Sequence, residues 1–180
     1  MRGDTDPRVT LEPLTERCLD QAARLWSSPA VIRYTNIEKP CTREEAAERL
    51  RRLLDSQRAL PEPVIFAVLQ AGRFCGAAGS PPVDADRGIF GLFYQLLPEA
   101  WGRGVGRAAA EQVLEALRGW APQAVVLADA AAENTASIRI LERLGFDRTA
   151  VRPRALRRDG AAWDVWEYAL RCGRKEEECP

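Results

Sequence analysis

The spacing of apolar and polar positions changes three times along the chain, and each change predicts a different kind of element. Val9 to Leu14 reads as a short strand. Leu19, Ala22, Ala23 and Trp26 then recur at the spacing of one helix face, with Thr15 as the expected N-cap and Ser27-Ser28-Pro29 as the stop. The stretch VIRYTNIEKP has no period. Thr42 and Glu45, three residues apart as a capping box requires, open a second helix whose apolar stripe is Ala46, Leu50, Leu53 and Leu54. Arg49, Arg51 and Arg52 fall off that stripe and predict a solvated face.

Two strands follow, Val64 to Gln70 and Arg73 to Ser80, joined around Ala71-Gly72; the loop PPVDADRG leads to a third run, Ile89 to Leu97. These runs predict an antiparallel meander. The rhythm then becomes helix from Gly104 to Arg118, strand from Ala124 to Ala130, and helix from Thr135 to Leu144, closed by Gly145. Strand-helix-strand alternation calls for parallel neighbours. The last segments, Phe146 to Leu156 and Trp163 to Leu170, predict a hairpin turning at Asp159-Gly160 with Trp166, Tyr168 and Leu170 on one face. No repeat and no linker interrupts the series. The expectation is one α/β domain with a mixed sheet over residues 9–170, and frayed termini at 1–8 and 171–180.

Composition narrows the chemistry. With 46% apolar and 29% charged residues in 180, the chain suits a single globule. The 26 basic residues balance the 26 acidic ones, so no overall field favours nucleic acid or an anionic membrane, and neither is expected as a partner. Histidine is absent, which excludes a Ser-His-Asp triad and a His-rich zinc site. Cys18, Cys41, Cys75, Cys172 and Cys179 form no C-x-x-C pair; idle thiols in a reducing compartment and no metal are expected. The start lacks the apolar stretch of a signal peptide and VIFAVL at 64–69 is too short to span a bilayer, so a cytoplasmic location is expected.

The segment YQLLPEAWGRGVGRAAAEQVLEAL is the richest in chemistry: a strand meets a glycine turn that opens a helix. Gly104 and Gly106 permit close approach of a ligand, the first helix amides lack intrahelical acceptors, and Arg103 and Arg107 are suited to phosphate oxygens. Three readings compete. Gly104 to Ala109 matches G-x-G-x-x-A, with Asp129 as the ribose acid of a dinucleotide fold; against it, Pro98-Glu99-Ala100-Trp101 separate strand from glycine, and only about fifty residues follow Asp129. The glycines also suit a plain tight turn. The third reading is R-x-x-G-x-A, filled by Arg103, Gly106 and Ala108.

LEPLTERCLDQAARLWSSPAVIRYT, the glycine segment and ENTASIRILERLGF, in that order, resemble the GNAT superfamily of N-acetyltransferases, most closely its ribosomal-protein N-terminal (alanine) acetyltransferase-like branch. The resemblance covers residues 9 to 170. It implies a single GNAT-like domain: a mixed central sheet with an antiparallel N-terminal meander, splayed parallel fourth and fifth strands, flanking helices and a C-terminal hairpin. It implies acetyl-CoA as cosubstrate, no metal, and direct transfer to an amine acceptor by a monomer or homodimer. The pantetheine arm is then expected in the splay against Leu96 and Leu97, and the pyrophosphate on the amides of Arg103, Gly104, Val105, Gly106, Arg107 and Ala108.

Asn134 matches an asparagine that contacts the cofactor arm in relatives, although Asn is also a preferred helix cap. Many relatives carry a tyrosine seven residues later to protonate the thiolate; here that residue is Leu141, which leaves Ser137 or an ordered water as the candidate acid. Asp129 is the candidate base and Glu99 the alternative, each also readable as a solvated or salt-bridged carboxylate. A peptide or protein N-terminal α-amine is the expected acceptor, with a small metabolite or antibiotic amine, or a CoA-binding module with little catalysis, as alternatives. The expected substrate loops are Val31 to Cys41 and Arg152 to Trp163. Arg152, Arg154, Arg157 and Arg158 read as a solvated hairpin or a lure for an acidic partner.

Overall fold

The computed structural model describes residues 8–173. Its strands are β1 (Val9–Pro13), β2 (Ile65–Gln70), β3 (Arg73–Gly79), β4 (Pro82–Asp84), β5 (Ile89–Gly91), β6 (Phe93–Leu96), β7 (Val125–Ala131), β8 (Asp147–Arg158) and β9 (Ala161–Arg171). The helices are α1 (Leu19–Ser27), α2 (Pro29–Ile32), α3 (Arg43–Ser56), α4 (Val105–Trp120) and α5 (Thr135–Arg143).

The capping box forms as the sequence predicts: Glu45 N–H donates to Thr42 Oγ1 at 3.2 Å and Thr42 N–H to Glu45 Oε2 at 2.8 Å. Thr15 does not cap. It is extended and makes no cap bond, a short 3₁₀ turn, Glu16–Cys18, intervenes, and α1 buries Ala22, Leu25 and Trp26. Pro29 follows the end of α1 and also opens α2, where its missing N–H costs nothing. The hairpin turns at Asp159 and Gly160, both at positive φ. Its pairing runs past the expected boundary, to Val125↔Arg171, and Cys172 N–H still reaches Ala124 O at 2.8 Å. Residues 1–7 and 174–180 of the expected frayed termini lie outside the described residues.

The run Ile89 to Leu97 is one extended segment shared by two sheets. β1-β2-β3-β6 form a four-stranded antiparallel sheet, and β4-β5-β7-β9-β8 a five-stranded mixed one. β5 pairs with β7 in parallel only as far as Gly91↔Leu127, with Leu92 N–H reaching Leu127 O at 2.8 Å. From Phe93 the chain bonds β3 instead, and β7 continues alone beside β9. The expected splay between the fourth and fifth strands is this parting at Leu92.

Two apolar clusters fix the halves. One joins Val9, Val68 and Leu96 to Val105, Ala109 and Val113 of α4. The other packs Trp26, Leu50, Ile65, Leu117, Val126, Leu141 and Tyr168 from both sheets and four helices. Trp26 and Ile65 are wholly buried; side chains of this kind contribute about 1.5–3 kcal/mol each. Among the described residues no helix is long and apolar enough to cross a membrane.

Candidate active site

The hydrogen-bond register determines which backbone groups face the splay. Leu97 N–H donates to Cys75 O at 2.8 Å while its carbonyl accepts from Ala100 N–H, and Phe93 and Gln95 accordingly turn their N–H and C=O groups to β3. Tyr94 and Leu96 turn theirs into the gap. On the other side, Cys172 N–H to Ala124 O makes the even residues of β7 bond β9, which leaves Asp129 N–H and C=O facing the same gap. Leu96 O is taken by Trp101 Nε1–H at 2.8 Å. Leu97 is therefore a correction: its amide belongs to the sheet, its side chain is 2% exposed in the core, and it does not line the groove.

That groove, about 1630 Å³, takes its lining from the turn into α4, from β6, β7 and α5, and from residues around Arg33, Arg49 and Arg152. At its first end lies the turn into α4. Gly102 and Gly104 sit at φ 71° and 78° with open space where a Cβ would be. Gly104 occupies the N-cap position of α4 with no side-chain cap, and the first intrahelical bond is Ala108 N–H to Gly104 O at 3.0 Å. The amides of Val105, Gly106 and Arg107 thus precede the ladder and are free for an anion. Arg103 is exposed; Arg107 Nε lies 3.2 Å from Glu111 Oε1. Gly106 has a different reason to be glycine. A Cβ there would stand 3.1 Å from Ile140 Cδ1 and 3.6 Å from Leu96 Cδ1, so the position is set by α4 packing on α5 and β6.

At the centre, Tyr94 from β6 and Ser137 from α5 meet: Tyr94 OH and Ser137 Oγ are 2.7 Å apart. Burial pushes the phenol up to about 12, against the opposing effect of the Ser137 hydrogen bond. Tyr94 is a site residue that sequence reasoning missed, because nothing in a strand pattern tells which face meets α5. It brings a hydroxyl from β6 to a helix that carries Leu141, buried in the core, where the resemblance leads to the expectation of a tyrosine. Asn134 caps α5, its Oδ1 accepting from Ser137 N–H at 3.2 Å, and it also lines the groove.

The far end is built from side chains of distant elements. Asp129 Oδ2 accepts from Arg152 Nη2 at 2.9 Å, and Arg152 Nε lies 2.6 Å from Glu167 Oε1. Arg33 stacks over Tyr34 and Trp163, with 5.4 and 5.7 Å to the ring centres. Arg158, expected in solvent, clamps the carbonyls of Thr35, Ile37 and Glu38 and ties the α2–α3 loop to the hairpin. Arg49, also expected in solvent, lines the groove with its guanidinium 5.4 Å from the Trp26 ring centre. Glu99 is the second correction: it is exposed, paired with Arg24 at 2.6 Å, and outside the groove lining.

A family model described as an acetyltransferase (GNAT) domain matches residues 8–147. An uncharacterized N-acetyltransferase, p20, of Bacillus licheniformis is 24% identical over 166 residues, 91% of this chain and 92% of that protein. Among solved structures, spermidine N-acetyltransferase from Vibrio cholerae in complex with CoA and spermine superposes with a TM-score of 0.79 at 18% identity, covering 91% of this chain and 95% of that one. Ribosomal-protein-alanine N-acetyltransferase from Brucella melitensis gives 0.74 at 20% identity, covering 90% and 99%. At such identities the likeness is one of fold.

Proposed function

The chain belongs to the acetyltransferase (GNAT) family, and from that premise we propose that it moves acetyl from acetyl-CoA directly onto the α-amine of a peptide or protein N-terminus. The observation that carries this reading is the single groove whose two ends meet at the splay, so that donor and acceptor lie side by side. No covalent relay is needed. None of the described cysteines lines the groove, and burial pushes the Cys75 thiol up to about 11, which keeps it an inert thiol.

Acetyl-CoA supplies an acyl group activated as a thioester. The chain's residues fit it: the amides of Val105, Gly106 and Arg107, flanked by Arg103 and Arg107, suit its pyrophosphate at the uncapped start of α4, whereas the expected amide of Ala108 is taken by Gly104 O. The outward-facing groups of Tyr94, Leu96 and Asp129 offer an extended, amide-bearing arm the rungs that the two strands do not give each other. Leu96 N–H is a donor suited to negative charge growing on a carbonyl oxygen. Asn134 Nδ2 stays available to the arm while its Oδ1 caps α5.

Tyr94 and Ser137 together hold the position for the leaving sulfur. A phenol near 12 does not give its proton away to a thiolate whose own pKa is about 8.5; it stabilises that thiolate by hydrogen bonding. The acceptor's proton leaves on the other side. Asp129 is the proposed base: Arg152 binds its Oδ2, and Oδ1 has no partner among the described residues.

An α-amine is the acceptor such a site serves best. With a pKa near 7.8 it costs about 1 kcal/mol to deprotonate at pH 7, against about 4.6 for a lysine near 10.4. The fold neighbours include a spermidine enzyme and a ribosomal-protein-alanine enzyme, so the fold admits either kind of amine. The test is a matched panel at one pH: free N-terminal peptides, the same peptides blocked at the α-amine but carrying lysine, small polyamines and aminoglycosides. Turnover of the free N-termini is expected. Turnover of blocked peptides or small amines with none on free N-termini overturns the acceptor while leaving acetyl transfer in place.

A further inference from the structure

Arg49 stands at the acceptor end of the groove with an unusual balance of contacts. Its Nη2 donates to Asn36 Oδ1 at 3.1 Å, and its Nε is buried with no acceptor among the described residues. The guanidinium rests against Trp26, whose own Nε1–H is fixed to Gln95 Oε1 at 2.8 Å, so the charge is held in place by the core. Burial lowers the Arg49 pKa below the usual arginine value, against the opposing effect of Cys41 and with a smaller contribution from the charge of Arg52. Among the described residues neither Arg49 nor Arg33 pairs with a carboxylate. Asp129, which lines the same groove, is engaged by Arg152, and Arg33 has aromatic rings as its partners.

A partly desolvated guanidinium without a counter-ion is costly, and its planar fork matches a carboxylate better than any other common group. We propose that the acceptor carries a carboxylate close to its amine and that Arg49 binds it, so that the enzyme selects acidic N-terminal sequences over neutral or basic ones. This rests on the acetyl-transfer reading above and gives it a substrate class. Polyamines carry no carboxylate and leave the Arg49 fork unmatched.

The experiment uses C-terminally amidated peptides with a free α-amine that differ only at the second residue, Glu, Gln or Lys, beside free amino acids and spermidine. At low salt the Glu peptide is expected to exceed the Gln peptide by about tenfold in kcat/KM, chiefly through KM, with Lys lower still. Arg49→Gln brings the Glu to Gln ratio to about one, and Arg49→Lys keeps part of it, while calorimetry shows CoA affinity within about twofold of the parent in both. A purely structural Arg49 would instead slow all three peptides alike and preserve the ratio. A parent ratio near one, or a ratio that survives Arg49→Gln, overturns the proposal. If only free amino acids are acetylated, and in an Arg49-dependent way, the carboxylate site stands and the peptide acceptor falls. Turnover confined to spermidine overturns both, and no turnover of any amine overturns acetyl transfer itself.

Discussion

The two ends of the groove are made of different material. The end at α4 is backbone: Gly102 and Gly104 in left-handed conformations, three amides ahead of the first intrahelical bond, and no side-chain cap. The acceptor end is side chain: Arg33 beside α2, Arg49 on α3, Asp129 on β7, Arg152 on β8 and Glu167 on β9, brought together from positions up to 134 residues apart. A site made from consecutive amides demands particular residues at particular spacings. A site assembled from five elements demands only that each side chain reach, and its chemistry is free to change without disturbing the first end.

The sharpest way to break this contrast is at Gly106, which lies on the backbone end yet is buried by packing. Gly106→Asp places a carboxylate between Ile140, Leu96 and Tyr94, and is expected to cost on the order of 3 kcal/mol or more of folding stability in urea titrations. Loss of CoA affinity with stability intact would instead make Gly106 a ligand glycine like its neighbour.

Tyr94 tests the joint between the two ends. Tyr94→Phe is expected to lower kcat by about tenfold, the worth of one hydrogen bond to a developing charge. The phenol is held near 12 when folded and near 10 when unfolded, so its stabilising contribution is complete below pH 10 and disappears as pH rises to 12. That amounts to on the order of 2 kcal/mol. Urea titrations from pH 8 to 12 should show the parent losing that much more than the Phe variant, and the parent kcat should show no tyrosine limb below pH 10.

Gly104→Ala isolates the conformational demand, because the added methyl meets nothing within 4 Å. The expected loss is about 1 kcal/mol of stability from the left-handed backbone, with CoA affinity in calorimetry reduced less than tenfold. The last pair of variants separates the two carboxylates. Glu99→Gln, which breaks an exposed pair with Arg24, should change stability by less than about 1 kcal/mol and leave the rate unaltered. Asp129→Asn removes the proposed base and should lower kcat/KM by about a hundredfold, most at acid pH, and an unchanged pH profile would pass its role to solvent.

What the sequence disclosed follows the same division. The α4 turn was legible because glycines, arginines and helix start are adjacent, and the capping box and hairpin turn because their chemistry is local. Thr15 misled because a 3₁₀ turn uses the same residues as a helix start. Arg49 and Arg158 misled for a deeper reason: helical spacing and strand alternation tell which side chains leave their own core stripe, but not that another element waits there. Trp26 and the carbonyls of Thr35 to Glu38 lie far from them in sequence. Tyr94 was hidden similarly, since its meeting with Ser137 depends on where the strand parts from β7.

That parting leaves a signature in exchange kinetics. Phe93, Gln95 and Leu97 are bonded to β3 while Tyr94 and Leu96 between them face the gap. Within a single strand, then, protection against deuterium should alternate residue by residue, slow at odd numbers and fast at even ones, in a segment whose side chains are largely covered. An occupant that fills the missing rungs would erase the alternation, so amide protection at Tyr94 and Leu96 reads occupancy directly, without any turnover.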